Sequence, residues 1–197
     1  KELLYCFDCD DLLFSITEQL SLESSRDSVS AILLLSLLII SGIEFTFDFS
    51  PMIDLTRSDD PHVTAAAFNC IANLASTSCD TSHACIEAGF FEAATCALNE
   101  CDLNYVKKEA LRAVLNILVT MTRTELENNL NRRTLENIVH GLDFEEAELV
   151  ELIFDAMNII LLPGFGDLYD EMIDVIEESD GWTRVSEYMC SDFENEK

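Results

Sequence analysis

Along most of the chain apolar residues recur every three to four positions, the interval that places side chains on one face of an α-helix. The stretches VTAAAFNCIANLA, KKEALRAVLNILV and LVELIFDAMNII carry this rhythm. Six Gly and three Pro are few for 197 residues, and the runs of Ala, Leu, Ile and Glu favour helix over strand. The pattern predicts an all-α fold. The most apolar run, Val29–Ile43 (VSAILLLSLLIISGI), is shorter than the roughly 20 residues a bilayer span needs. Ser residues interrupt it and Asp27 and Glu44 flank it, so it is expected to form a helix buried on all sides.

The rhythm itself repeats. Ser58–Ser76 (SDDPHVTAAAFNCIANLAS), Glu100–Val119 (ECDLNYVKKEALRAVLNILV) and Asp143–Leu162 (DFEEAELVELIFDAMNIILL) each run from a polar turn, through a Val or Leu, into a helix of small and apolar residues. Val63, Val106 and Leu149 are 43 and 43 residues apart, and Asn73, Asn116 and Asn158 are 43 and 42 apart. A shorter copy, Ser24–Ser41, precedes them. A period of about 40–47 residues belongs to armadillo and HEAT arrays, whose helices bury their apolar faces only by stacking on neighbours. The expected architecture is one domain, a right-handed armadillo-type helical-repeat solenoid. About four units (1–41, 42–78, 79–121, 122–164) precede a C-terminal half-repeat, 165–197.

Turn chemistry divides a unit into three helices. Thr81–Ala88 reads as a first helix ended by Gly89, a position suited to left-handed backbone. Phe90–Glu100 reads as a second, with Phe91, Ala94, Cys96 and Leu98 facing inward. Asp102 is expected to cap a third helix from about Asn104 to Val119. One unit earlier, Pro51 opens the second helix and Asp59, Asp60 and Pro61 lead into the third. After Thr124 the sequence ELENNLNRRTLENIVHGL lacks a clear Gly hinge.

Charge narrows the function. The chain holds 38 acidic and 11 basic residues, a formal net charge of −27, and from Asp143 onward there are 17 acidic and two basic residues. Such a field repels phosphate backbones and anionic headgroups and attracts Lys/Arg-rich segments, so neither nucleic acid nor membrane is expected as a partner. Solubility of an apolar repeat protein is the competing explanation. Most of the eight Cys, among them Cys70, Cys85 and Cys96, sit among apolar neighbours as buried reduced thiols do. The one CxxC, Cys6 to Cys9, has no second pair, and only His62, His83 and His140 could join it, so no metal or other cofactor is expected. No signal-peptide pattern opens the chain, and cytoplasmic and nuclear residence is expected. The first residue is Lys1 rather than Met, which fits an N-terminal portion lying outside this sequence. HExxH, GxSxG and a Gly-rich phosphate loop are all missing, so the chain does not read as an enzyme.

EAGFFEAATCAL, KKEALRAVLNILV and above all LVELIFDAMNII followed by MIDVIEESDGWTRVSEYMCSDFENEK resemble the armadillo domain of the importin-α (karyopherin-α) family. The resemblance covers about Asp59–Lys197 and is closest for the C-terminal repeats, where Glu177, Glu178, Gly181, Trp182 and Glu194 to Glu196 match an acidic turn and closing helix. It implies an adaptor that carries basic nuclear-localisation signals, with third helices lining a concave groove. In that family a groove Trp holds Lys stems, and an Asn four residues later bonds the peptide backbone. Here Asn73 and Asn116 match the Asn, whereas Asn69 and Arg112 stand at the Trp positions. In the next unit either Phe154 with Asn158 or Asp155 with Ile159 takes those places.

The groove implied by the resemblance therefore comprises Asn69, Asn73, Glu109, Arg112, Asn116, Glu151, Phe154, Asp155 and Asn158. Asn73 and Asn116 would fix a peptide backbone while Glu109, Glu148, Glu151 and Asp155 supply charge. The same Asn residues can also be read as ties between helices, and Arg112 as a partner of Glu109 at i, i+3 or of a ligand carboxylate. The expected partners are basic, nuclear-localisation-like segments and transport receptors. The alternative is an acidic scaffold or escort for one basic client.

Overall fold

The structure is a computed structural model that describes residues 29–32, 34, 35, 37, 48–77, 79–144, 146–162 and 166–195. Among these there is no strand, as expected of an all-α chain. The chain divides into two compact units, residues 1–120 and 121–197.

In the first unit, residues 29–32, 34, 35 and 37 are helical, followed by α1 (Ser50–Leu55), α2 (Pro61–Ala75), α3 (Cys79–Glu87), α4 (Phe90–Glu100) and α5 (Asn104–Leu118). Local chemistry sets the ends. The Asp60 carboxylate accepts the His62 N–H at 2.9 Å, and Pro61, which has no N–H to leave unpaired, occupies the first turn of α2. Gly89 adopts φ +90 and separates α3 from α4, the hinge expected from sequence.

Helices α2 and α5 run side by side in the same direction. The pairs that meet across them are His62 with Tyr105, Asn69 with Glu109 and Ala72 with Asn116, so sequence number rises together along both. Parallel neighbours require a long return connection, which α3 and α4 provide. The period of about 43 residues read from the sequence is thus one helix and the return that brings the chain to the start of the next. Ala67, Phe68, Ile71 and Leu74 of α2 and Leu111, Val114, Leu115 and Leu118 of α5 are buried. Phe68 meets Phe90 edge-on at 6.4 Å, and Phe90 meets Phe91 at 5.4 Å. Such aromatic pairs add about 0.5–1.5 kcal/mol each beyond the area they bury.

Three expectations for this unit are corrected. Cys96 is exposed, not inward-facing, because it lies five residues, about 140° of helical turn, from Phe91. Ala97 takes the inner place beside Phe91, Ala94 and Leu98. Asp102 does not cap α5: Leu103 holds the cap position in extended backbone with no side-chain bond. The helical residues described between Val29 and Leu37 are not buried all round. Ala31, Ile32 and Leu35 are buried, but Leu34 and Leu37 are exposed, Leu37 by 64%. The rest of Val29–Ile43 and the Cys6–Cys9 pair lie outside the described residues.

The second unit contains α6 (Arg123–Asn129), α7 (Arg132–His140), a 3-10 turn (Gly141–Phe144), α8 (Ala147–Ile160), α9 (Asp167–Glu178) and α10 (Gly181–Asn195). No Gly separates α6 from α7. A capping box between Thr122 and Glu125 starts α6, and the Asn131 side chain, accepting the Thr134 N–H at 3.1 Å, starts α7. Several contacts dock the closing helix α10. Gly181 is buried against Val139 and Ile176, the Tyr188 hydroxyl donates to the Leu142 carbonyl at 2.7 Å, and Arg184 pairs with Asp143 at 3.2 Å. Arg132 bridges Glu136 on its own helix and Glu178 at the end of α9. The Glu178 charge, foremost, holds that guanidinium more firmly protonated.

Candidate functional site

On α2, residues 62, 66, 69 and 73 share one helical face; on α5, residues 105, 109, 112 and 116 do, each 43 positions on. Five of the sequence-predicted residues lie on this pair of faces; Asn73, Asn69, Glu109 and Arg112 form a polar ladder, and Asn116 makes a separate tie between the helices. Asn73 Nδ2 donates to Asn69 Oδ1 at 3.1 Å, and Asn69 Nδ2 donates to Glu109 Oε2 at 2.9 Å. Arg112 Nε lies 3.8 Å from the same carboxylate oxygen. Asn116 donates Nδ2 to the Ala72 carbonyl at 3.0 Å.

The ladder fixes what remains available to a ligand. Asn69 and Asn73 are exposed, while Glu109, Arg112 and Asn116 are half-buried. Glu109 uses Oε2 internally, and among the described hydrogen bonds Oε1 is not engaged. Asn73 keeps its Oδ1 and one amide hydrogen, a matched acceptor and donor of the kind an extended peptide backbone requires. Asn116 keeps its Oδ1 and one amide hydrogen, the other being committed to the Ala72 carbonyl of the neighbouring helix. Because Asn73, Asn69 and Glu109 are bonded head to tail, each bond polarises the next, and the side chains are set before any ligand arrives.

The other four predicted residues belong to α8 in the second unit. Glu151, Asp155 and Asn158 are exposed at i, i+4 and i+7, a single acidic and amide-bearing stripe. Phe154 is half-buried beside that stripe, where it meets the Tyr188 ring edge-on at 6.4 Å. Ile159 is half-buried as well. Glu148 is exposed on the first turn. Of the C-terminal residues that carried the resemblance, Glu178 is exposed and paired with Arg132, Gly181 is buried, and Trp182 is 48% exposed. Glu194 falls in the last turn of α10, and Glu196 lies outside the described residues.

Sequence reasoning passed over His62 and Tyr105. They extend the ladder face toward the helix starts, by two turns on α2 and one on α5, and their 43-residue separation is the signal that could have found them. Among the described residues no group of three His, Cys, Asp or Glu side chains is placed to hold a metal ion, and no helix is long and apolar enough to cross a membrane.

No model of a known protein family matches the chain, and no curated protein does. Solved structures do. A designed armadillo repeat protein in complex with peptide (KR)4 is similar with a TM-score of 0.67 at 23% identity, over 82% of this chain and 69% of that one. A second designed armadillo repeat protein gives 0.68 at 22% identity with the same coverage. A computationally designed armadillo repeat protein for modular peptide recognition gives 0.67 at 22%, again over 82% and 69%. The parallel third helices, the 43-residue spacing and this likeness agree: the chain has the armadillo-type helical-repeat fold.

Proposed function

We propose that this chain is a peptide-binding armadillo scaffold that receives an extended basic segment across the exposed polar face of α2 and α5. The observation that carries the reading is the Asn73–Asn69–Glu109 ladder, which offers a fixed carboxylate and fixed amides on two parallel helices. The net charge of −27 supports a cationic partner, both by attraction and by steering its approach. A designed protein of the same fold holds the basic peptide (KR)4. In this reading Asn73 and Asn116 bond the peptide backbone, and Glu109, fixed by Asn69, attracts its side chains. The resemblance of the C-terminal repeats to importin-α extends the proposal to an adaptor in nucleocytoplasmic transport, working in cytoplasm and nucleus.

Isothermal titration of a Lys/Arg-rich peptide at two ionic strengths tests the reading. Saturable binding that weakens with salt supports it; absence of binding at low salt ends it.

A second reading rests on the commitment of the Asn116 amide to Ala72 and on the absence of Trp at residues 69 and 112. Both suit an acidic scaffold or escort that holds one folded basic client by its surface charge. A client bound far more tightly than any short peptide derived from it would favour this second reading.

A further inference from the structure

The ladder face continues past Asn69. In the first turn of α2 stands His62, and in the first turn of α5 stands Tyr105. Their rings stack at a centroid distance of 5.7 Å and an interplanar angle of 23°. Both are exposed, Tyr105 by 40%. Counting along each helix gives His62, Ala66, Asn69 and Asn73 on one side and Tyr105, Glu109, Arg112 and Asn116 on the other, the same face of each. The rings therefore form an aromatic rung in register with the polar ladder, solvated where a core pair would be buried.

The chemistry of such a rung selects among cations. A guanidinium is planar and weakly hydrated, so it lies flat on a ring while its N–H fork stays free in the plane to reach a carboxylate. Glu109 stands one turn from Tyr105 on that face with Oε1 open. An ammonium is a compact, strongly hydrated point charge and gains less from one flat surface. Two like charges lie near. Arg112 is about 10 Å further along the axis and already beside Glu109, and Lys108 is half-buried with an interaction of its own.

We propose that the stacked His62–Tyr105 pair is an arginine-selecting subsite, taking an Arg side chain of the bound basic segment in preference to Lys. The inference rests on the peptide-binding reading above and adds to it a choice of side chain.

The test is isothermal titration with two peptides of equal length and charge, one whose basic residues are all Arg and one whose basic residues are all Lys. The parent is expected to prefer the Arg peptide by about two- to five-fold, the size of an exposed cation–π contact. Tyr105→Ala and His62→Ala should each weaken the Arg peptide by a similar factor, leave the Lys peptide within two-fold and remove the preference. Tyr105→Phe should retain it. Equal affinity of the parent for both peptides overturns the subsite without needing any variant. So does an Arg preference that survives both alanine changes, or an equal loss for both peptides; in each of these cases the peptide-binding reading stands. If neither peptide binds the parent, that reading falls and the subsite falls with it.

Discussion

The side-chain amide of Asn116 donates to the main-chain carbonyl of Ala72 at 3.0 Å, joining residues 44 positions apart across α2 and α5. The same carbonyl accepts the Ser76 N–H at 3.2 Å, so losing the Asn116 contact leaves it with one partner. Asn116→Ala should therefore cost about 1 kcal/mol, the usual net worth of one such bond. Asn116→Asp should cost more, because a carboxylate cannot donate and would face a carbonyl oxygen. Urea denaturation midpoints of the three proteins test the order; an Asp variant as stable as the parent would show that the tie has no energetic role.

A buried glycine makes the opposite kind of claim, about room. A Cβ on Gly181 would lie 3.0 Å from the Ile176 carbonyl oxygen, from Ile176 Cγ2 and from Val139 Cγ1. The side-chain atoms can shift, but the main-chain oxygen is part of α9 and cannot move without the helix. Gly181→Ala is expected to destabilise the second unit by about 1–3 kcal/mol, the cost typical of overpacking. Thermal unfolding measures it, and an unchanged midpoint would mean that α10 does not dock as closely as described.

The armadillo pattern was legible because it rests on long, repeated apolar faces. Val63 and Val106, Asn73 and Asn116, and the hinge at Gly89 follow from periodicity and from one residue type that tolerates φ +90. What escaped sequence reading were single positions. Cys96 is apolar enough to suggest a core place, yet a shift of two residues from Ala94 rotates a helical side chain by about 200°, and its thiol reaches Glu100 instead. In the Val29–Ile43 run nearly every position is apolar, so no polar stripe marks which side faces out, and Leu37 is the outcome. The break between α6 and α7 was obscured because Asn131, an N-cap without Gly, sits in a stretch rich in Asn. For the ladder and the Asn116 tie, the sequence supplied Asn69, Asn73, Glu109, Arg112 and Asn116 but not their bonding, since which helix accepts the Asn116 amide depends on the distance between helices.

The cysteines should differ in reactivity. Burial, with Cys70 nearby, pushes the Cys85 thiol up to about 12, whereas its hydrogen bond to Glu100 raises exposed Cys96. A raised value means less thiolate at a given pH and slower alkylation. At pH 8 native Cys85 should stay unmodified, and Glu100→Gln should speed labelling at Cys96, read by peptide mass spectrometry. There is a stability consequence for Cys85. The unfolded thiol ionises near pH 9 and the folded one near 12, so above pH 9 the unfolded state sheds a proton that the folded state keeps. Its contribution is complete below pH 9 and declines as pH rises from 9 toward 12. A Cys85→Ala variant should show a shallower alkaline fall in stability than the parent.

Charge in the ladder and charge on the α8 stripe should respond differently to salt. Glu109 is half-buried, its side chain 26% exposed, with one oxygen held by Asn69; Glu151 and Asp155 are exposed. Solvent-facing charges act on a ligand mainly during approach and are screened over about 8 Å at physiological ionic strength. A carboxylate partly withdrawn from water and fixed by a neighbour is screened less. Glu109→Gln keeps the shape and an oxygen for Asn69 but removes the charge, so affinity for a Lys/Arg-rich peptide should fall several-fold at both low and physiological salt. Changing Glu151 and Asp155 together to Lys should slow association at low salt and have a much smaller effect at physiological salt. Stopped-flow association rates and titration calorimetry at the two ionic strengths separate these outcomes. If Glu109→Gln binds like the parent at both, the face of α2 and α5 is not where the basic segment lies.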